Sequence, residues 1–421
     1  MTGEIIKVSR NTELAPICAQ STQTVAFSHY NNFSAQLPID PKTGALVVGD
    51  IQDQARQCLT NIKAIVESID HVMDDVVKVT IFLKNLDHLA QVDEVYASFF
   101  DNLLPTRTVI EVAALPHGDA LVQMDALISN GEGTYPQAPC ELVKLSRNTE
   151  RAPISELATQ TVAFSHYNNI GAQLPVCPEK GAVVDGGIKA QTAQCLRNIK
   201  QIMESIDVPF DDIVKANVYV TDLAHMDAVN EVYTTFFPDS SIARTVGYMP
   251  ARSVIQVSRL PMGALVQIDV SISHGDGTPP QEVEDRHGIV IRANNTDQAP
   301  VCPLSTQTVA FSHYNHLTGQ LPRVANSDQV VEGGVAEQAT QCLSNIKAII
   351  ESIGHKMDDI VKVNIQLVDM ADLAAVEQVY PEFFNHELPA RTVIGVSQIA
   401  LGAKVQMDAV LSNAEGTPPQ R

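Results

Sequence analysis

Positive charge is in short supply along this 421-residue chain: 28 Lys and Arg stand against 49 Asp and Glu, a formal net charge of −21. That balance repels phosphate backbones, so nucleic acid is a poor expected partner, although a local basic patch could exist. Long hydrophobic runs are missing as well. No apolar stretch approaches the roughly 18 to 20 residues that cross a bilayer, so no membrane association is expected. The opening Met-Thr-Gly-Glu-Ile-Ile has none of the features of a signal peptide. Cysteine is sparse. Seven Cys, an odd number with no CxxC pair, argue against a disulfide framework or a zinc site and place the chain, as an expectation, in a reducing cytoplasm. There is no P-loop, Gly-rich dinucleotide fingerprint or nucleophile elbow, so neither a cofactor nor a metal is expected. Few aromatics (5%), with 45% hydrophobic and 18% charged residues, describe a compact soluble protein.

What is present is repetition. TQTVAFSHYN begins at Thr22, Thr159 and Thr306, a period of about 140 residues, too long for a solenoid unit and the size of a small domain. CLTNIKAIVESI at Cys58, CLRNIKQIMESI at Cys195 and CLSNIKAIIESI at Cys342 recur in step, as do PTRTVIEV at Pro105, PARSVIQV at Pro250 and PARTVIGV at Pro389. The chain is three tandem copies of one domain. Gly/Pro-rich stretches after Ile128 and Ile272 set the boundaries near residues 139 and 283, giving domains 1–139, 140–283 and 284–421.

In the first copy EIIKVSRN and TVAFSHYNNFSAQLP read as strands, and Pro41 to Gly44 turns the chain into a short strand, ALVVG. Ile51, Ala55, Cys58, Leu59, Ile62, Ile65, Val66 and Ile69 keep the spacing of a helix with one buried stripe. Cys58, Cys195 and Cys342 on that helix read as buried small hydrophobes. DDVVKVTIFLKNL is a strand, HLAQVDEVYASFF a second amphipathic helix, and TRTVIEVAAL and ALVQMDALIS the last strands. The order βββαβαββ predicts an α+β domain with a mixed sheet covered on one face by two helices. Its other face must be hidden too. Packing of the three sheets about a pseudo-threefold axis, as a covalent pseudo-trimer with clefts between copies, hides it and predicts a monomeric chain.

Several residues recur in positions that suit chemistry. Arg107, Arg252 and Arg391 each follow Pro-x at a strand start, where a guanidinium can make two parallel charge-assisted hydrogen bonds to a carboxylate. Phe100 and Phe384 stand seven residues before Arg107 and Arg391, but Phe237 stands fifteen before Arg252, so copy two carries an insertion and Arg244 competes. The fifteen residues from Arg252 to Gln267 and from Arg391 to Gln406 favour Arg252, with Arg244 a second cation. Alternation along SHYNNFS places His29, Asn31 and Phe33 on one face and Tyr30, Asn32 and Ser34 on the other. The first reads as the core face, since Phe33 becomes Ile170 and Leu317. Tyr30, Tyr167 and Tyr314 then point the other way, towards the cleft between copies. His29, His166 and His313 form either a hydrogen-bonded polar layer with Asn31, Asn168 and Asn315 or, on a shared axis, a three-imidazole metal site. The Asp74-Asp75, Asp211-Asp212 and Asp358-Asp359 pairs precede a strand and read as turn and cap residues.

Each copy resembles the RidA family, also called YjgF/YER057c/UK114, over nearly its whole length. The resemblance is carried by PKTG at Pro41, by SAQLP, GAQLP and TGQLP, by the QARQCLTNIKAIVE helix, by DDVVKVTIFLKNL and by the Pro-x-Arg-[Ser/Thr]-x-Val stretch. It implies a RidA-like, chorismate-mutase-like fold and a substrate cleft between neighbouring copies. It also implies that Arg107, Arg252 and Arg391 hold the carboxylate of a 2-imino acid, the partner being a small imine or keto acid. The implied activity is hydrolysis of reactive enamines or imines to keto acids and ammonia. The departures matter. Where imine-deaminating members carry a water-activating Glu this chain has Gln123, Gln267 and Gln406, and an amide can orient water but cannot accept its proton. The family Tyr is Ser21, Ala158 and Ser305, although the neighbouring Gln is kept as Gln23, Gln160 and Gln307, and a Cys common in the family is Val109, Val254 and Val393. Tyr30, Tyr167 and Tyr314 are candidates to supply the lost phenol. A non-catalytic small-carboxylate binder is the alternative, and the ribonuclease activity described for some relatives fits the acidic charge poorly.

Overall fold

The computed structural model describes residues 7–102, 104–129, 144–237, 248–273 and 291–413. The expected boundaries near 139 and 283, and Arg244, lie outside the described residues. Copy one runs β1 (Val8–Arg10), β2 (Thr24–Phe27), β3 (Tyr30–Phe33), α1 (Ile51–Ser68), β4 (Val76–Leu83), α2 (Leu89–Ala97), β5 (Thr106–Glu111) and β6 (Val122–Ser129). The helix α1 starts where the Asp50 side chain accepts from the Gln52 and Asp53 amides while Asp53 accepts from the Asp50 amide, satisfying three end donors reciprocally. Its buried stripe includes Ile51, Ala55, Cys58, Leu59, Ile62 and Ile65, as its spacing predicts.

The sheet order is β1-β2-β3-β6-β4-β5, antiparallel except for the parallel pair β4 and β5, which the crossover through α2 requires. Copy two repeats it with β7 (Leu145–Arg147), β8 (Thr161–Phe164), β9 (Tyr167–Gln173), a small ribbon of β10 (Val176–Cys177) and β11 (Ala182–Val183), α3 (Gly187–Ser205), β12 (Ile213–Val220), α4 (Met226–Thr234), β13 (Ala251–Gln256) and β14 (Val266–Ser273). Copy three has β15 (Ile291–Asn294), β16 (Thr308–Phe311), β17 (Tyr314–Leu317), α5 (Val335–Ser352), β18 (Ile360–Leu367), α6 (Leu373–Val379), β19 (Ala390–Gly395) and β20 (Val405–Ser412). The fold is α+β, three times βββαβαββ, and none of the described helices is long and apolar enough to cross a membrane.

Two expectations change. TVAFSHYNNFSAQLP is a hairpin rather than one strand: Phe27 pairs with Tyr30 across a Ser28–His29 turn, and Ser28, Ser165 and Ser312 all take left-handed φ values of 49–54°. The hairpin supplies the third strand of the predicted order. ALVVG does not, forming in copy one only an isolated bridge between Ile39 and Leu46. Because the turn interrupts the alternation, His29 does not share the core face with Phe33, and its ring lies 6.1 and 6.2 Å from those of His166 and His313.

Alternation along β4 sends Val79, Ile81 and Leu83 to the helices, and the same core receives Phe33, Met124 and Tyr96. A further cluster joins the copies: Val25, Phe27, Tyr30 and Val77 pack with Phe164, Tyr167, Phe311 and Tyr314. The Tyr30, Tyr167 and Tyr314 rings stand 6.0–6.3 Å apart in every pairing. Edge-to-face contacts with Phe164, Phe311 and Phe27 complete the arrangement. The second sheet face of every copy is thus covered by the other copies. Hydrogen bonds close the contact in cyclic order, copy one to two (Thr159 N to Pro105 O, 3.1 Å), two to three (Thr306 N to Pro250 O, 3.3 Å) and three to one (Thr22 N to Pro389 O, 3.3 Å).

Candidate functional site

Strand register puts the three arginines in one structural position. Arg107 pairs across from Val79, Arg252 from Ala216 and Arg391 from Val363, so the eight-residue insertion is absorbed before Arg252 reaches its strand. Each stands at a seam between copies. The Arg391 carbonyl accepts from Ala35 N (3.1 Å) and the Arg252 carbonyl from Gly319 N (3.0 Å). The Arg391 amide donates to Ser34 Oγ (2.9 Å) and the Arg252 amide to Thr318 Oγ1 (3.0 Å). At the first seam Gly171 takes the place of that hydroxyl residue, where a Cβ would lie 3.1 Å from Arg107 N. The SAQLP-type segment of one copy therefore fixes the arginine backbone of the next.

The side chains extend over a tyrosine of the second helix region. Arg107 Cζ lies 4.7 Å from the Tyr96 ring centre, Arg252 Cζ 4.9 Å from that of Tyr233 and Arg391 Cζ 5.6 Å from that of Tyr380, in cation–π contact. One turn earlier on the same helix face stands each guanidinium's polar partner. Arg107 pairs with the Asp93 carboxylate, Arg391 with the Glu377 carboxylate at 2.6 Å, and Arg252 donates to the Asn230 amide oxygen at 2.9 Å. Neither the tyrosines nor these partners stood out in the sequence. The aligned VDEVY, VNEVY and VEQVY stretches were the available signal, because they keep the tyrosine and vary the residue three before it.

Gln123, Gln267 and Gln406 are buried on the inward face of their strands. Gln406 reaches the second seam, donating to Val254 O of copy two (3.1 Å) and to Gln366 Oε1 (3.3 Å). Gln123 Oε1 and Gln267 Oε1 are buried with no hydrogen-bond partner among the described residues. The kept Gln23 is structural, since its Nε2 donates to the Thr12, Ala15 and Pro16 carbonyls and its Oε1 accepts from Thr12 N. Gln160 and Gln307 do the same.

Tyr30, Tyr167 and Tyr314 are not arranged to replace the missing phenol. Their hydroxyls donate to the Phe164, Phe311 and Phe27 carbonyls of neighbouring copies, and burial pushes all three phenols far above their ordinary pKa. They are ring-packed at the axis and already hydrogen-bonded. The three imidazoles stand beside them with centroids 5.9–6.2 Å apart, and among the described residues no group of three His, Cys, Asp or Glu is placed to hold a metal. Asp75 caps the turn before β4 by accepting from Val72 N at 3.0 Å, and Asp359 does so from Lys356 N at 3.0 Å. Burial raises the Cys58, Cys195 and Cys342 thiols above their ordinary range, which leaves them inert.

Beyond the tyrosine ring the axis opens into a cavity of about 190 Å³ walled by Asn32, Lys78, Asp125, Lys215, His316 and Lys362, among others. Three ion pairs run around it in cyclic order between copies: Lys78 with Asp269 (3.2 Å), Lys215 with Asp408 (3.8 Å) and Lys362 with Asp125 (2.7 Å). Burial holds the Lys215 and Lys362 ammoniums below their ordinary range, with the nearby aspartates acting in the opposite sense. Asn32 Nδ2 and His316 Nε2 are buried without a partner among the described residues, a lining that suits ordered water.

These features define a class: α+β domains that hide one sheet face against neighbouring copies and set a stacked arginine at every seam. Residues 12–129, 159–273 and 296–412 match the family described as Endoribonuclease L-PSP. Over 106 residues the chain is 43% identical to a RutC family protein of Pyrococcus horikoshii, covering 25% of this chain and 83% of that protein. Over 97 residues it is 44% identical to the 2-iminobutanoate/2-iminopropanoate deaminase of Salmonella typhimurium, covering 22% and 74%. The crystal structure of a conserved Rid-family protein from Yersinia pestis is 37% identical, covering 30% of this chain and 100% of that one at a TM-score of 0.29. The chain belongs to this family, also known as the RidA family, as three tandem copies.

Proposed function

We propose that the seams are clefts in which the chain hydrolyses small 2-imino acids, or their enamine tautomers, to 2-keto acids and ammonia. The observation that carries this reading is the arginine at matching register in all three copies, its backbone pinned by the neighbouring copy and its guanidinium stacked on a tyrosine. A guanidinium held this way binds the substrate carboxylate and orients the C2 carbon. Water then adds its oxygen to C2 while one of its protons passes to the imine nitrogen, and the C–N bond breaks as the proton of the new hydroxyl follows to the same nitrogen, releasing ammonia and leaving the C2 carbonyl. Gln123, Gln267 and Gln406 orient the water without taking its proton, so catalysis rests on positioning. Loss of a general base typically costs ~10²- to 10⁴-fold.

The second reading is a non-catalytic binder of small carboxylates. One observation favours it: the Gln406 amide is already hydrogen-bonded to Val254 O and Gln366 Oε1. Ammonia release from enzymatically generated 2-iminopropanoate and 2-iminobutanoate, with spontaneous hydrolysis subtracted, separates the two. A rate at background together with calorimetric binding of 2-oxobutanoate selects the binder. In either case, replacing Arg107, Arg252 and Arg391 together by Lys should weaken 2-oxobutanoate binding at least ~10-fold, since an ammonium lacks the bidentate fork.

A further inference from the structure

The three seams share a frame but not a charge. Arg107 and Arg391 are each paired with a carboxylate of their own copy, Asp93 and Glu377. Among the described residues the polar partner of the Arg252 guanidinium is the neutral amide of Asn230. These partners occupy the same helical position, three residues before Tyr96, Tyr380 and Tyr233 respectively, and they sit at the mouth of the guanidinium's recess: 25% of the Asp93 side chain and 28% of that of Glu377 remain exposed, whereas the Arg107 and Arg391 side chains are 8% and 6% exposed. An incoming carboxylate must therefore pass them.

The remaining N–H groups tell the seams apart in the same way. Arg107 Nε and Arg391 Nη1 are buried without a partner among the described residues. Among the described residues the Arg252 guanidinium has no polar partner beyond Asn230, and none of its nitrogens is among the buried unpartnered atoms.

We propose that the Arg252 seam is the one carboxylate-binding site of the chain, and that Asp93 and Glu377 act as built-in carboxylates that occupy the ligand's place at the other two. The inference rests on the proposal that the arginine seams bind small carboxylates. Its physical basis is direct. An Arg–carboxylate pair already satisfies the guanidinium, and a second carboxylate brought within a few ångströms of the first is repelled by a like charge in a poorly solvated recess. An amide oxygen satisfies one N–H and leaves the full positive charge for the ligand. Asn230 is thus a specificity-determining residue, and Asp93 and Glu377 are the blocking ones.

Calorimetric titration of the full-length native chain with 2-oxobutanoate tests this without any substitution: one molecule bound per chain is expected. The Arg252→Lys variant should lose affinity at least ~10-fold. The double variant Asp93→Asn, Glu377→Gln should bind three molecules per chain, because each exchange recreates the Asn230 arrangement. Asn230→Asp in the native background should abolish the single site. A native stoichiometry of three, or a single site that survives Arg252→Lys undiminished, overturns the inference while leaving carboxylate binding by the chain intact. No binding by either the native chain or the double variant removes the underlying reading of the seams, and this inference with it.

Discussion

At the scale of single residues, one substituted position separates the copies most sharply. His316 stands where the other copies have Asn32 and Asn169, on the wall of the cavity, its pKa held down at about 3 by burial and then by Lys215 and Lys78. A depressed imidazole favours the neutral folded form, so its contribution to stability is complete above the unfolded value of 6.5 and is lost as pH falls towards 3. Such a group costs about 2 kcal/mol of stability between pH 7 and pH 5. His316→Asn should recover most of that loss, read as a smaller drop in the denaturation midpoint between the two pH values. His313, held at about 4 by burial, should keep part of the acid sensitivity in the variant. The seam residues invite a different exchange. Replacing Gln123, Gln267 and Gln406 by Glu supplies a proton acceptor, and imine hydrolysis should rise ~10-fold or more in steady-state assays, with ligand affinity measured separately because a new carboxylate can also pair with the arginine. A folded Glu variant that binds 2-oxobutanoate and still turns over at the uncatalysed rate would favour the binder. Among these residues the arginines were legible in the sequence because Pro-x-Arg recurs beside a strand. Asp93, Asn230 and Glu377 were not, since a charged or amide residue on an amphipathic helix reads as solvated face until the arginine is seen to reach it.

Among the elements, helices and long strands were readable because one buried stripe or one buried face imposes a period. The hairpin was not, because Ser28, Ser165 and Ser312 adopt a backbone conformation that favours Gly and so give no turn signal. That miss moved the histidines to the wrong face and left the tyrosines pointing at a cleft instead of an axis. Edge strands carry a second dependence. Gly395 in β19 exchanges hydrogen bonds with Ala113 and Ala114 of copy one, and a Cβ there would lie 2.6 Å from the Ala114 Cβ and 2.9 Å from its amide nitrogen. Backbone cannot yield as a side chain does, so Gly395→Ala should destabilise by ~1–3 kcal/mol in thermal unfolding. The ion pairs between β4, β12 and β18 and the strands β6, β14 and β20 opposite them are sensitive in another way. Asp125→Asn leaves the Lys362 ammonium buried without its carboxylate, at a cost of ~3–5 kcal/mol. The double variant Asp125→Asn, Lys362→Met should recover much of it, checked by the same melting curves.

For the molecule as a whole, three copies that cover one another's sheets predict a single chain in solution. Light scattering at micromolar concentration should return a mass near 45.6 kDa, and three times that value would mean that the copies pair between chains. The repeat made this architecture legible from sequence, since an α+β sheet with helices on one face leaves the other face in need of cover. The cavity was invisible there because Lys78 and Asp269, distant in sequence, become neighbours only when the copies close on one another. That closure has an evolutionary consequence. In an assembly of identical chains a mutation near a threefold axis is made three times at once, and three imidazoles in a cavity of about 190 Å³ beside three lysines would crowd it and, at acid pH, charge it. Joined in one polypeptide, the copies mutate singly. His316 is such a solitary change, and the space around the axis can drift one wall at a time.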